Sequence, residues 1–229
     1  MTICKWALRT LIAISLVTAC LSPWTFHQAA GSGFAAPNPP SATAVTPDAA
    51  RYKLDSSRSR FTVRAFAGGL LSAFAHDHTI AIRDIEGEAT FTYGTVDPAS
   101  LSISINADSL AVVDKIKESD RVKIETTMRN EVLEVSKHPQ INFKSNSVAA
   151  TKTAEAHYRA RISGDLTLHG VTRPLTINAE LEFGDKILRA KGAFTLKQSS
   201  FEIKPVSVAG GTIKVKDELK FTFEIVAHP

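Results

Sequence analysis

The chain has 229 residues, 44% hydrophobic and 22% charged, with a formal charge of +4, the balance of a folded globular protein rather than a disordered or collagen-like one. Its two cysteines, Cys4 and Cys20, both lie near the start, so the rest of the chain holds no disulfide and no cysteine-based zinc or iron–sulfur site. From Arg51 onward the charges are 25 basic minus 22 acidic, or +3, with no basic block and no aromatic-rich RNA motif, so nucleic acid is not an expected partner.

Residues 1–20, MTICKWALRTLIAISLVTAC, place two cations before an apolar stretch from Leu11 to Leu21, the layout of a secretory signal peptide. That stretch falls short of the ~20 residues that span a bilayer as a helix, so export is expected rather than a transmembrane anchor. Val17-Thr18-Ala19-Cys20 resembles a bacterial lipobox, in which Cys20 would be lipidated and become the mature N-terminus. The other reading leaves Cys20 inside the apolar region and puts cleavage further on, near Ala30 or Ala35. Residues 21–50 carry five of the ten prolines, many alanines and one charged residue, Asp48. Such a segment cannot build a core and reads as a disordered, semi-extended linker.

Residues 51–229 read as one folded domain built on period-2 alternation. Phe61, Val63 and Ala65 alternate with Arg60, Thr62 and Arg64, and Leu101, Ile103 and Ile105 alternate with Ser100, Ser102, Ser104 and Asn106. Each such strand has one apolar face and one wet face. The pattern returns over 85–93, 141–147, 158–168, 175–183, 187–196 and 219–226, about eight strands in all. Turn residues separate them at Gly68-Gly69, Asp97-Pro98, His169-Gly170, Gly184-Asp185 and Gly210-Gly211. Asp114–Val135 breaks the rhythm, with Val122, Met128, Val132 and Val135 near helical spacing. One helix or two short ones are expected there, with Asp120 as a cap and Pro139 as the stop. About eight antiparallel strands suit a closed barrel, because closure removes exposed edges; a two-sheet sandwich is the alternative. A barrel of that size can enclose a small ligand, and the domain's ten phenylalanines would either line a greasy cavity or fill a core.

Two long phrases carry a resemblance: Gly164-Asp165-Leu166-Thr167-Leu168-His169-Gly170-Val171-Thr172-Arg173-Pro174 and Phe201-Glu202-Ile203-Lys204-Pro205-Val206-Ser207-Val208-Ala209-Gly210-Gly211. With Tyr52-Lys53-Leu54-Asp55 and His138-Pro139-Gln140-Ile141-Asn142-Phe143-Lys144-Ser145, they resemble the YceI-like family over roughly 52–226. The resemblance implies an all-β fold, an antiparallel eight-stranded lipocalin-like barrel with a short helical excursion. It implies export to the periplasm, with membrane anchoring if Cys20 is lipidated, and it admits a homodimer. The implied ligand is a polyisoprenoid, of isoprenoid quinone or prenyl-phosphate type, or another long-chain amphiphile held in an elongated apolar cavity. No cofactor is implied beyond that bound lipid, and family members bind rather than catalyse. Phe143, Phe194 and Phe201 are the expected apolar contacts, and Arg173 and Lys204, with Lys197 and Lys214, are cations able to meet a phosphate. His169 sits at a turn where Gly170 permits a left-handed backbone, and would either bond across the turn or touch the ligand.

Ala75-His76-Asp77-His78-Thr79 departs from the family's pattern. On a strand, His76 and His78 would share one face, the spacing by which His-x-His pairs bind zinc, copper or iron, with a third ligand from His157, His169, Glu86 or Glu88. Facing a cavity, neutral imidazoles would instead bond a quinone carbonyl or an amide head; on an exposed loop they are simply polar. Asn130-Glu131-Val132-Leu133-Glu134-Val135 also departs, replacing paired aromatics, and is expected to reshape the cavity's lid. No nucleophile–base pair, phosphate-binding loop or dinucleotide fingerprint is present. The expectation is therefore an exported, non-enzymatic binding protein. The alternative is a metal-binding periplasmic redox or hydrolytic protein centred on His76-Asp77-His78.

Overall fold

The structure, a computed structural model, describes residues 49–70, 76–92, 96 and 99–229. The signal peptide, Cys20, nearly all of the linker and the Asp97-Pro98 turn lie outside the described residues. The first strand, β1 (Ala49–Leu54), takes in Ala49 and Ala50, which the composition alone assigns to the linker.

Among the described residues there are fourteen strands in chain order, of which eleven act as eight staves and three short ones form a separate small sheet. β1 and β2 (Arg60–Ala65) lie end to end along β14 (Glu218–His228), with Lys53 opposite His228 and Arg60 opposite Glu224. The five-residue break between them is held by Ser59, whose hydroxyl donates to the Asp55 carbonyl at 2.6 Å and accepts the Val226 amide at 3.0 Å. A short β3 (Ala67–Gly68) follows. β4 (His78–Ile82) and β5 (Ile85–Thr92) run end to end opposite β2 and β1, and β6 (Ala99–Asn106) and β7 (Leu110–Val112) do the same opposite β5 and β4. β8 (Gln140–Ala154), β9 (His157–Leu168), β10 (Val171–Gly184) and β11 (Ile187–Lys197) continue the antiparallel meander, and β14 closes it against β1 and β2. The result is a closed barrel, not a sandwich. Closure pairs the strand edges around the barrel except where the wide-end halves of β10 and β11 part.

Alternation does the local work. Along β9, Ala160, Ile162, Gly164, Leu166 and Leu168 are buried while Arg159, Arg161 and Asp165 are exposed. Because the staves alternate in direction, the long connections gather at one end: 66–77, 113–139 and 198–217, beside the tight turn at His169-Gly170. The opposite, narrow end carries short turns and an aromatic plug. There Tyr52 stacks on Phe91 at 5.1 Å, Phe91 meets Phe183 edge-on at 4.8 Å, and Tyr158 meets Phe183 at 5.3 Å.

The helical excursion is shorter than expected. α1 (Glu118–Thr127) runs into a π-helical turn at Met128–Val132, and Glu134, with φ of 45°, ends it well before Pro139. Asp120 does not cap it: Lys117 holds the N-cap position without a side-chain bond, and Asp120 lies inside the first turn, where its charge complements the helix dipole. Val122, expected on the apolar face, is 54% exposed, because the helix lies over the open end of the barrel rather than in the core.

Candidate functional site

The barrel interior is divided into two apolar chambers. The wide-end chamber has a volume of about 530 Å³, within the range of small-molecule sites, and the narrow-end chamber about 150 Å³. Phe61, Leu166 and Phe194 line both, and so form the wall between them. Phe61 packs edge-on against Phe194 at 6.4 Å, Phe221 at 6.3 Å and Phe223 at 6.1 Å, while Phe194 stacks on Phe221 at 4.8 Å. The inward alternation of β2, β11 and β14 is what aims these rings at one point.

The wide chamber opens to a polar rim formed by His76, His78, Asp120, Lys123, Thr127, Gln198 and Lys214. His78 contacts Asp114 at 3.1 Å through Nδ1, and Asp114 also accepts the Thr79 amide at 3.0 Å, so this imidazole is fixed in orientation. Gln198, buried, donates to the Lys216 carbonyl at 3.0 Å. β3 pairs with β13 (Ile213–Val215), which pairs with β12 (Ser207–Val208), and this small sheet knits the 66–77 and 198–217 connections together at the rim. The helix contributes Ile124, Thr127 and Met128 to the same chamber as its lid.

The expected site residues separate into groups. His76 and His78 line the wide chamber, Phe143 the narrow one, and Phe194 both. Phe201 is buried in the main core and lines neither chamber, and Lys204 points outward on the segment whose Ile203 is buried. Arg173 also lies outside both linings. β10 and β11 pair only from Ala179–Gly192 to Gly184–Ile187, so their wide-end halves part, and the Arg173 guanidinium donates across to the Ser200 carbonyl at 3.1 Å. His169 lines neither chamber; its Nε2 lies 3.1 Å from Glu134 Oε2, a contact from the β9–β10 turn to the end of the helical segment rather than across the turn itself. Phe61, Leu166, Lys123 and Gln198 escaped the sequence reading. Phe61 was legible only as one apolar residue of an alternating strand, whereas Lys123 is a polar residue of the helix and Gln198 lies on the connection after β11.

The structure separates the members of the His-x-His segment. β4 begins at His78, leaving His76 off the strand, and Asp77 is spent on the Ala67 amide at 3.0 Å and the Arg64 guanidinium at 3.1 Å. Among the described residues, no group of three potential ligands includes His76 or His78.

Two carboxylates on the wide-end connections, Asp77 and Asp217, are held below the usual carboxylate range. The Ala67 amide and then Arg64 do this for Asp77, and the Ser199 hydroxyl and amide for Asp217. At the far break between β1 and β2, the Ser57 hydroxyl does it for Asp55. A carboxylate whose folded pKa lies below its unfolded value stabilises the fold above about pH 4, and the effect is lost as pH falls through the folded value. Thermal melts are therefore expected to be flat from neutrality to about pH 5 and to fall below about pH 4. Asp77→Asn with Asp217→Asn should flatten the acid limb; an unchanged acid limb would remove these two contacts from the account.

A family model for the YceI-like domain matches residues 52–227. A UPF0312 protein of Pseudomonas putida strain W619 is 28% identical over 173 residues, which is 72% of this chain and 82% of that protein. A UPF0312 protein of Pseudomonas syringae pv. tomato is 28% identical over 184 residues, 77% of this chain and 86% of its own length. Among solved structures, Burkholderia cenocepacia BcnA superimposes with a TM-score of 0.57 at 16% identity, over 76% of this chain and 98% of its own. A polyisoprenoid binding domain from Saccharophagus degradans, implicated in plant cell wall breakdown, gives 0.55 at 13% identity, over 77% of this chain and 97% of its own. These likenesses support the barrel independently of the strand pairing. With its model matched from the first strand almost to the C-terminus, the chain belongs to the YceI-like family.

Proposed function

We propose that this chain is an exported, non-enzymatic carrier that holds an isoprenoid or another long-chain amphiphile, tail inward in the barrel and head at the wide rim. One observation carries the reading: an apolar chamber of about 530 Å³ ends in a rim of His76, His78, Lys123 and Lys214. Each buried methylene contributes ~0.8 kcal/mol, and an isoprenoid chain offers many, while the cations and imidazoles suit a phosphate or a quinone carbonyl. The neighbouring fold named as a polyisoprenoid binding domain is consistent with this class of ligand. In the same reading, the leader exports the protein to the periplasm, and Cys20, if lipidated, tethers the barrel to a membrane through the linker.

Native and denaturing mass spectra of the full chain, purified untagged after export, test the carrier directly. The expected result is a small-molecule mass present under native conditions, lost on denaturation, that fragments as an isoprenoid or acyl chain. A ligand-free protein whose Tm is unmoved by an added prenyl phosphate and an added isoprenoid quinone would overturn the reading. Lys123→Ser with Lys214→Ser should weaken prenyl-phosphate binding by about fivefold, the ~1 kcal/mol scale of partly exposed charge pairs, and leave the neutral quinone unaffected.

A further inference from the structure

Behind the lid and outside both chambers, the end of the helical segment meets the β9–β10 turn. Glu134, His138 and His169 each offer one donor atom there, and all three atoms lie within 4.8 Å of one another. Two of the contacts are already close: His169 Nε2 stands 3.1 Å from Glu134 Oε2, and the His138 and His169 rings have centroids 4.8 Å apart.

The backbone builds this cluster. The Glu134 carbonyl accepts the amides of Lys137 at 2.8 Å and His138 at 3.0 Å, so a local turn sets the spacing of Glu134 and His138. The His138 ring lies against Gly170, where a Cβ would come within 2.7 Å of its Cε1, so a glycine at the third ligand's neighbour makes room for the second ligand. Glu134 and His169 adopt φ of 45° and 53°, left-handed values that cost a non-glycine residue free energy and that concentrate at functional sites.

We propose that Glu134, His138 and His169 bind a divalent ion of borderline softness, Zn²⁺ above all, which clamps the lid to the barrel. Two imidazoles and one carboxylate suit zinc rather than calcium or magnesium, which take oxygen ligands. Metal–ligand bonds of 2.0–2.1 Å in a tetrahedron place donor atoms about 3.3 Å apart. The Glu134–His169 pair already stands near that edge, and His138 needs a modest swing toward it. Lys137 pairs with Oε1 of Glu134 and leaves Oε2 to the ion. Its ammonium also opposes the ion's charge, so the site is tuned below its full affinity. The clamp joins a helix that roofs the wide chamber to a turn between two staves, and so couples metal availability to how firmly the mouth is covered.

Calorimetric titration of Zn²⁺ into the full, untagged chain after chelator treatment should show one equivalent bound. At a hundredfold excess over Kd the ion should raise Tm by about 5–10 °C. His138→Ala and His169→Asn, the latter keeping a residue that tolerates the left-handed backbone, should each lose that equivalent, while His76→Ala with His78→Ala should retain it. Lys137→Gln should tighten binding by about fivefold, which a hydrogen-bond pin with no metal function would not do. Co²⁺ added to the unmodified protein should give a tetrahedral visible spectrum without any variant. Absence of both the Tm shift and the cobalt spectrum, or an equivalent that survives the two histidine substitutions combined, would overturn the clamp. Neither result bears on whether a lipid occupies the barrel.

Discussion

Replacing Phe61 with alanine is expected to destabilise the protein by about 3–5 kcal/mol and to join its two chambers into one. The ring is buried, and it contacts Phe194, Phe221 and Phe223 edge-on, so the substitution removes both transfer free energy and three aromatic contacts. The space vacated lies in the wall between the 530 Å³ and 150 Å³ chambers. A ligand that stops at that wall in the natural protein could then reach the aromatic plug of Tyr52, Phe91 and Phe183. Urea unfolding gives the stability change, and a series of prenyl alcohols of increasing length gives the functional one, with the optimum moving to longer chains. Phe194→Ala, at a partly exposed position, should move the optimum in the same direction at lower cost in stability. An unchanged length preference in both variants would show that Phe61 and Phe194 are core filling and do not set how deep a tail enters.

The second large effect is expected at Gly164. A Cβ there would stand 2.3 Å from the Lys144 carbonyl oxygen, 2.7 Å from Phe143 Cζ and 2.7 Å from Ser145 Cα. Two of those atoms belong to the backbone of β8, which cannot give way as a flexible side chain would. The partner strand also changes register at this point, from Ser145 opposite Gly164 to Ser147 opposite Ser163, so the glycine sits where β8 bulges toward it. Gly164→Ala should destabilise by about 2–3 kcal/mol, the cost of overpacking exceeding the gain of ~0.4–1 kcal/mol from a stiffer unfolded chain. Gly184→Ala provides the contrast: the nearest atom to its Cβ is the Ile187 carbonyl oxygen at 3.8 Å, and the change should be neutral or slightly stabilising. Equal unfolding midpoints for the two variants would show that β8 can shift at no cost.

The two predictions sit at opposite kinds of position. Gly164 belongs to a phrase that already stood out in the sequence, Gly164 to Pro174, and its role is to let two backbones approach. Phe61 stood out only as one apolar residue in an alternating run, and nothing local distinguishes it from Val63 two positions on. Its importance comes from the two strands, β11 and β14, that bring Phe194, Phe221 and Phe223 to it. The histidines show the same contrast. His76 and His78 were conspicuous because they are close in sequence, and they line a chamber mouth; His138 and His169 meet through the fold and sit with Glu134.

The amino-acid sequence by itself determined the class of this protein: alternation with period 2 assigns a face to each strand, glycine and proline pairs punctuate the turns, and the family phrases identify the barrel. Those signals are local, because side-chain direction along a strand depends only on the chain's own geometry. Closure through β1, β2 and β14, the gathering of the long connections at one end and the wall of Phe61, Leu166 and Phe194 were decided only by the tertiary structure. The helix illustrates why. Its apolar spacing suggested a core-facing face that includes Val122, yet that residue is exposed, because a lid's environment is set by the barrel mouth beneath it and not by its own periodicity. Arg173 likewise carried a charge suited to phosphate, and the parting of β10 from β11 directed it to a carbonyl instead. Periodicity states which side of its own strand a residue occupies; only long-range pairing states what it faces.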